Sequence, residues 1–215
     1  MNETRNVSHF SISVNNLSKR FNREWIFRNL SFEFHSGKTY AITGPNGSGK
    51  STLLQVLWGQ VPQTSGTLEY NLEGNSLPVE DVYKHLAIAT PYMDLIEEFT
   101  LQEMLKFHFS LKAVRSDLRF DELARRMYLE DAMDKHLVNF SSGMRQRLRL
   151  ALALYSRASV YFLDEPGTNL DAVAFDWYRK ELGALPPSAL VIIASNDPDE
   201  YPAESTRLSM SDHKT

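Results

Sequence analysis

The sequence predicts an α/β fold: a core around a mostly parallel sheet, an N-terminal antiparallel β subdomain and an inserted α-helical subdomain. Short, continuous apolar runs separated by helical patterns predict the parallel sheet, because strands of this kind are buried on both faces. Alternation with a period of two near the N-terminus predicts the antiparallel strands. Helical spacing between residues 92 and 139 predicts the insertion.

Apolar and polar residues alternate twice near the N-terminus, and each stretch predicts a half-buried antiparallel strand. The apolar positions are Ile12 and Val14, then Leu30, Phe32 and Phe34. Thr39–Thr43 is instead a short apolar strand that runs into Gly44. Leucines at helical spacing then predict a helix over residues 51–58 that ends at Gly59.

Further strands are predicted over residues 66–70 and Leu86–Ala89. In the insertion, Thr100 followed by Glu103 forms a capping box that starts a helix. A second insertion helix is predicted through Leu118, Leu123, Met127 and Leu129. A long helix follows Gly143, and the sheet is completed by buried strands over residues 160–163 and Leu190–Ala194.

Length and composition restrict the class of protein. The 215 residues predict one domain, with residues 1–90 and 140–215 as its core and residues 91–139 as the inserted subdomain. An apolar fraction of 42% and a charged fraction of 23% exclude a disordered or fibrous chain. The net charge of -4 disfavours a nucleic-acid partner, and the lack of cysteine excludes disulfides and thiolate metal sites.

The length of the apolar runs predicts that the chain does not cross a membrane. Its longest strongly apolar run, residues 189–194, is far shorter than the ~20 residues that a spanning helix needs. Residues 1–10 are polar and contain no apolar segment, so no secretory signal is expected.

The strand that ends at Thr43 leads into a phosphate-binding sequence pattern. Glycine, four residues, glycine, lysine and serine is the spacing of a P-loop, here Gly44, Pro45, Asn46, Gly47, Ser48, Gly49, Lys50 and Ser51, followed by Thr52. Its glycines let successive N–H groups and the helix N-terminus face a phosphate chain. Lys50 supplies charge for the β and γ phosphates, and the Ser51 hydroxyl can bind Mg²⁺. A plain glycine-rich turn is the alternative, which the strand and helix on either side disfavour.

Two adjacent carboxylates, Asp164 and Glu165, follow the apolar run of residues 160–163. At the carboxyl edge of a parallel sheet they are expected beside the P-loop. Asp164 can then organise Mg²⁺, and Glu165 can orient or deprotonate an attacking water. Alone, the pair would be explained as the start of a solvated turn before Pro166, but the P-loop favours the functional interpretation.

A serine-rich helix start forms the third element. Ser141, Ser142 and Gly143 offer hydroxyls and free N–H groups that can hold an anion at the start of the long helix. From this pattern alone, an ordinary helix cap is the better explanation. The order and spacing of the P-loop, this helix start and the paired carboxylates favour an anion-binding role instead.

Together the elements resemble those of the ATP-binding-cassette (ABC) ATPases, which are P-loop NTPases with a helical insertion. The resemblance covers residues 21–197. Residues 44–52 are similar to the Walker A motif, residues 160–164 to Walker B and residues 140–144 to the signature motif. Glu165 stands where this family has its catalytic glutamate.

The resemblance implies ATP and Mg²⁺ as cofactors and adds further binding residues. Ser141 and Gly143 are the implied donors to the γ phosphate, and Asp171 lies in a segment similar to the D-loop. Phe21 stands where the family places an aromatic residue that stacks on adenine. Packing of Phe21 under the end of a strand is an alternative that stays open.

Three departures from the family pattern bear on mechanism. The signature differs at Phe140, Ser142 and Met144. Tyr92 replaces the Q-loop glutamine; it either makes one hydrogen bond in the site or packs at the junction with the insertion. Asn196 replaces the switch histidine, and it can donate an N–H to the γ phosphate but cannot carry a charge. We therefore expect slow but measurable turnover, with Asn196 kept as a catalytic candidate.

The resemblance also implies partners. Two cassettes close head to tail in this family, so a second ABC ATPase chain is expected, identical or different. The first functional hypothesis is the energising subunit of a transporter, peripheral to the cytoplasmic face of the inner or plasma membrane. It would dock on an integral permease at a cleft bordered by residues 92–100, which include Asp94, Glu97 and Glu98. The alternative is a soluble ABC-type ATPase that acts on a protein assembly.

Overall fold

Two sheets organise residues 9–115 and 119–214, which are the residues that the computed structural model describes. The strands are β1 Phe10–Phe21, β2 Glu24–His35, β3 Thr39–Thr43, β4 Ser65–Leu72, β5 Asn75–Leu77, β6 Leu86–Ala89, β7 Val160–Asp164, β8 Leu190–Ala194 and β9 Thr206–Ser209. The helices are α1 Lys50–Leu57, α2 Val79–Val82, α3 Leu101–Leu111, α4 Phe120–Arg126, α5 Ser142–Leu154 and α6 Ala172–Gly183. The predictions for residues 1–8 and Leu118 fall outside the described residues.

A parallel sheet of five strands, in the order β6-β7-β8-β3-β9, forms the core and confirms the predicted fold class. All of its pairs are parallel, so the chain leaves β3, β7 and β8 at the same edge. Strand β8 lies between the other two. The P-loop, the paired carboxylates and Asn196 therefore follow three neighbouring strands.

The predicted N-terminal strands form a separate antiparallel sheet in the order β2-β1-β4-β5. Alternation along β1 buries Ile12 and Val14, as the period of two requires. Strand β5 is an addition that the sequence analysis did not predict. The antiparallel pairing of β1, β2 and β4 confirms the antiparallel subdomain of the predicted fold.

Side chains of the parallel sheet alternate between two hydrophobic clusters, one on each face. In β7, Tyr161 and Leu163 face the cluster formed with α3, α5 and α6, whereas Val160 and Phe162 face the antiparallel sheet and α1. Burial on both faces explains why β7 and β8 read as continuous apolar runs.

The insertion contains α3 and α4 between β6 and α5. Helix α3 has the predicted capping box: the Thr100 hydroxyl accepts from Glu103 N, and the Glu103 carboxylate accepts from Thr100 N at 2.8 Å. Helix α4 is shorter than predicted, because the chain turns at Tyr128 with φ 54° and so leaves Leu129 beyond the helix. The subdomain limits at residues 91 and 139 stay a prediction. None of the helices in the described part of the chain has the length and apolar character to cross a membrane.

Candidate nucleotide-binding site

The P-loop connects β3 to α1, and its conformation requires glycine at Gly49. This residue caps α1 in the left-handed region at φ 98°. A Cβ atom there would also lie 2.5 Å from the Ile26 Cγ2 atom, closer than real carbon contacts. Strand β2, which carries Ile26, therefore packs directly against the loop and limits its movement.

Lys50 lies across the loop rather than in solvent. Only 4% of the residue is exposed, and its ammonium donates to Gly44 O at 2.9 Å and to Pro45 O at 3.5 Å. The charge is thus held at the loop by neutral carbonyls. A phosphate oxygen is a better acceptor than a carbonyl oxygen, because its negative charge attracts the ammonium directly.

A cavity of about 440 Å³ opens beside the loop. Its walls are Ile26, Asn46, Gly47, Gly49, Lys50, Ser51, Thr52, Tyr92 and Glu165. The structure thus brings P-loop residues and Glu165 together, although more than a hundred positions separate them in the sequence. Tyr92 is 83% exposed and faces this cavity, so it does not pack at the junction with the insertion.

Asp164 ends β7 and is buried. Burial raises the pKa of its carboxyl, which a hydrogen bond from the Ser51 hydroxyl opposes. Asp164 Oδ1 is buried and has no hydrogen-bond partner among the residues that the structure describes. Two oxygen groups side by side, one with free acceptor capacity, suit a hard cation such as Mg²⁺.

The loop after Glu165 is held by two buried polar side chains that the sequence analysis missed. Glu200 accepts a hydrogen bond from Gly167 N at 2.9 Å, and Gln146 donates to Pro166 O at 3.0 Å. Both side chains are buried. Neither belongs to a recognised spacing pattern, so only the folded structure shows that they position the loop that follows the carboxylates.

Asn196 lies next to the P-loop, as its place after β8 predicts. Its Oδ1 accepts from Gly44 N at 3.2 Å, and its Nδ2 donates to Asn46 Oδ1 at 3.1 Å. The side chain is exposed and its two polar atoms both contact the loop. This double contact was not predicted.

The predicted signature and D-loop residues lie at the N-terminal ends of α5 and α6, away from the cavity beside the P-loop. Ser141 caps α5 by accepting from Met144 N at 3.2 Å, and Asp171 caps α6 by accepting from Ala174 N. Gly143 packs closely on the segment before Asp171, because a Cβ atom there would lie 2.9 Å from Asn169 O. None of these predicted site residues is among those that line the cavity.

Phe21 also stays outside the cavity walls. It ends β1, is 44% exposed, and has the Lys19 ammonium 4.5 Å from the centre of its ring. A free aromatic face is thus present, whereas Ile26 of the adjacent strand is the hydrophobic residue that lines the cavity.

The fold and the site together define a P-loop ATPase with a helical insertion. A family model described as ABC transporter matches residues 27–168, more than half of the chain. The chain therefore belongs to the ABC transporter family, as an ATP-binding subunit of the kind that hydrolyses ATP.

Individual relatives agree with this membership. The chain is 30% identical over 190 residues to the lantibiotic transport ATP-binding protein SrtF of Streptococcus pyogenes, covering 86% of this chain and 79% of that protein. It is 31% identical over 187 residues to the Nod factor export ATP-binding protein I of Ralstonia nicotianae, covering 85% of this chain and 58% of that protein.

Solved structures show the same fold. An ABC transporter ATP-binding protein from Pyrococcus furiosus superposes with a TM-score of 0.77 at 21% identity, over 95% of this chain and 100% of that chain. A bacterial Atm1-family ABC exporter with ATP bound gives a TM-score of 0.75 at 20% identity, over 89% of this chain and 35% of that chain.

Proposed function

We propose that the chain binds ATP with Mg²⁺ in the cavity beside the P-loop, hydrolyses it there and so energises a separate membrane permease. One observation carries this proposal: Lys50 and Ser51 wall the same space of about 440 Å³ as Glu165. Phosphate-binding groups and a carboxylate that can activate water thus face one another, as attack on a terminal phosphate requires.

The phosphates are bound by backbone N–H groups at the start of α1 and by Lys50. The first N–H groups of a helix have no partner within it, and its dipole favours an anion there. The Lys50 ammonium, which donates to Gly44 O in this structure, exchanges that carbonyl for a phosphate oxygen.

Ser51 and Asp164 would hold Mg²⁺, which supplies charge neutralisation at the β and γ phosphates. Asp164 Oδ1, which has no hydrogen-bond partner in the described part of the chain, would bind the ion directly or accept a hydrogen bond from a water bound to it. Burial keeps this carboxylate dry and strengthens its interaction with a cation.

Glu165 orients the attacking water and accepts its proton. The chain turns sharply at this residue, with φ 44°, and its backbone N–H donates to Ala194 O at 2.8 Å. The neighbouring strand thereby fixes the backbone from which the carboxylate reaches the cavity. Removing a general base of this kind lowers the rate by a factor of roughly 10² to 10⁴.

A second chain completes the site. Ser141 is exposed at the N-terminus of α5 and does not line the cavity of its own chain. Its hydroxyl and the free N–H groups beside it offer donors to the phosphate held by another copy or by a related chain. We propose head-to-tail closure of two such chains on ATP, and reopening after hydrolysis.

A permease docks at the clefts between the core and the insertion. An apolar cleft of about 480 Å³ includes Val79, Tyr83 and Met93 in its walls, and both Val79 and Tyr83 are exposed. Exposed apolar surface of this kind is typical of protein interfaces. The occupant we propose is an amphipathic cytoplasmic helix of the permease, with its apolar face in this cleft.

Charge next to the apolar cleft favours a basic flank on that helix. An adjoining cleft of about 390 Å³ is lined by three carboxylates, Asp94, Glu97 and Glu98, and by two arginines, Arg145 and Arg149. Glu97 pairs with Arg145 at 2.9 Å, whereas Glu98 has no ion pair among the described residues. Asp94, which is also exposed, has no ion pair among the described residues either, so Asp94 and Glu98 are the carboxylates best placed to meet a partner cation.

The names of the relatives support a transporter rather than an assembly factor, because lantibiotic transport and Nod factor export are both transport processes. The two names refer to different cargoes, so we propose no cargo for this chain. Docking on a permease would place it at the cytoplasmic face of the membrane, without insertion.

The nucleotide site is tested by binding and trapping. Lys50→Ala is expected to weaken ATP binding by at least about tenfold, because a charge-assisted contact is lost. Exposed Lys38 provides the control, and Lys38→Ala should bind like the wild type. Glu165→Gln should bind ATP, fail to hydrolyse it and accumulate as a dimer in light scattering. Equal ATP affinity in Lys50→Ala, or a monomer in ATP-loaded Glu165→Gln, contradicts the proposal.

Membrane docking is tested by reversing one charge. Glu98→Lys is expected to reduce co-purification with membranes that contain the permease, since a basic partner would be repelled. Glu69 is an exposed carboxylate of β4 in the other sheet, and Glu69→Lys is the matched control. A wild-type chain found only in a soluble complex would support the assembly factor instead.

A further inference from the structure

The side chain of Asn196 bridges two points of the P-loop. Gly44 N donates to its Oδ1 at 3.2 Å, and its Nδ2 donates to Asn46 Oδ1 at 3.1 Å. The bonded residues are 152 positions apart in the sequence for the first bond and 150 for the second. Both bonds therefore connect the loop after β8 to the P-loop. We call this pair of bonds the amide clamp.

The amide clamp holds the first part of the loop and leaves the phosphate cradle open. Gly44 does not line the cavity, whereas Asn46 is the first loop residue of its walls, which continue through Gly47 to Thr52. Lys50 holds the same segment from another side through Gly44 O and Pro45 O. Three consecutive residues are thus restrained without occupying the space of about 440 Å³ in front of them.

The chemistry of the clamp depends on a carboxamide. Asparagine presents an acceptor and a donor on the same carbon, aimed in similar directions. Neutral imidazole also has one donor and one acceptor, but they lie on separate ring nitrogens that point apart. A histidine at this position could therefore make one of the two bonds but not both.

We propose that Asn196 is a positioning residue that pre-orders the P-loop for nucleotide binding through the amide clamp. The proposal rests on the proposed nucleotide site and specifies how this chain organises it. Ordering a loop before binding removes an entropic cost from the binding step. Because the clamp acts on the loop and not on the terminal phosphate, it should favour ADP and ATP equally.

The test compares both nucleotides in a double-mutant cycle. Fluorescent ADP and ATP are titrated, with Mg²⁺, into monomeric wild type, Asn196→Ala, Asn46→Ala and the double variant. Asn196→Ala removes both bonds and is expected to weaken both nucleotides by about fivefold, whereas Asn46→Ala removes one bond and should weaken them less. The double variant is expected to bind no more weakly than Asn196→Ala. Asn75 is an exposed amide in β5, and Asn75→Ala is the control expected to change neither affinity.

The outcomes separate this proposal from the one on which it rests. Weaker binding of ATP alone in Asn196→Ala would mean a contact to the γ phosphate and would overturn the clamp. Unchanged affinities, or additive effects of the two substitutions, would overturn it as well. If the wild type binds neither nucleotide, the proposed function is refuted, and the proposed role of the clamp in nucleotide binding is refuted with it.

Hydrogen exchange gives a readout that does not depend on nucleotide. In the nucleotide-free protein, the Gly44 N–H is protected by its bond to Asn196. Asn196→Ala should therefore speed exchange in a peptide that covers residues 44–46, whereas Asn75→Ala should not. Equal exchange rates in wild type and Asn196→Ala would refute the clamp even if nucleotide affinity changed.

Discussion

Asn196 differs from the histidine expected at its position in one property that matters for turnover: its side chain stays neutral. A charged donor adds direct Coulomb attraction to its bond with a phosphate oxygen, and a neutral amide lacks this attraction. In this chain the amide is also engaged with Gly44 and Asn46. Both facts predict slow hydrolysis although Lys50 and Glu165 are present.

Asn196→His is expected to raise the steady-state ATPase rate by about fivefold. The increase should grow as the pH falls toward ~6.5, because the imidazole then gains its charge. Affinity for ADP should fall at the same time, since histidine cannot make both bonds of the amide clamp. An ATPase rate at or below that of Asn196→Ala across the pH range would exclude this explanation of slow turnover.

Residues of the site could be predicted from sequence where the chemistry depends on local spacing. The P-loop is continuous in sequence, and Asp164 and Glu165 stand at the end of the continuous apolar run of residues 160–163. The bond between Asn196 and Asn46 joins residues 150 positions apart, so no local pattern contains it. Glu200 likewise acquires its partner, Gly167, only when β8 and β7 are adjacent.

Helix α3 begins at a capping box whose two side chains satisfy each other's backbone groups. Thr100 N donates to Glu103 Oε2 at 2.8 Å, and Glu103 N donates to Thr100 Oγ1 at 3.3 Å. Helix N-termini otherwise leave these N–H groups to water. The first helix of the insertion therefore has a fixed starting point, directly after the segment that borders the proposed docking cleft.

Thr100→Ala is expected to lower the free energy of unfolding by about 1 kcal/mol, because the cap is lost while the apolar contacts of α3 remain. Urea denaturation measures this change. Lys106 is exposed in the middle of the same helix, so Lys106→Ala should alter stability by less than about 0.5 kcal/mol. A larger effect at Lys106 than at Thr100 would contradict the assigned cap.

Elements could be predicted where periodicity and length are sufficient. Strand β3 and strand β8 were predicted with the bounds that the structure shows. Strand β9 was not predicted, because only one of its four residues, Leu208, is buried and its pairing with β3 is what makes it a strand. Strand β5 and helix α2 are too short for a period to show.

At the scale of the whole molecule, a half-buried histidine joins the insertion to the core. His108 of α3 contacts the Ser156 hydroxyl after α5 at 2.9 Å. Burial lowers the pKa of His108 to about 4, and Lys112 nearby adds to the effect. The unfolded chain has the ordinary histidine pKa of about 6.5, so it binds a proton more readily than the folded chain between these values.

Stability is therefore expected to fall as the pH decreases from about 6.5 toward about 4, by up to ~3 kcal/mol from this group alone. His108→Gln should reduce that loss, because glutamine has no proton to bind. Urea unfolding at about pH 5 and about pH 7.5 measures the difference. Exposed His9 is the control, and His9→Gln should keep the wild-type dependence. An unchanged pH dependence in His108→Gln would contradict this assignment.

Because β8 separates β3 from β7, the P-loop and Glu165 rise from the sheet two strand spacings apart, which is about 10 Å. If ATP binds at the loop as proposed, its terminal phosphate is the one directed toward the glutamate, and ADP lacks that phosphate. Under the proposed function, the width of the middle strand sets the distance that the phosphate chain of the nucleotide has to span to reach Glu165. A single chain would then separate ATP from ADP by the length of that phosphate chain.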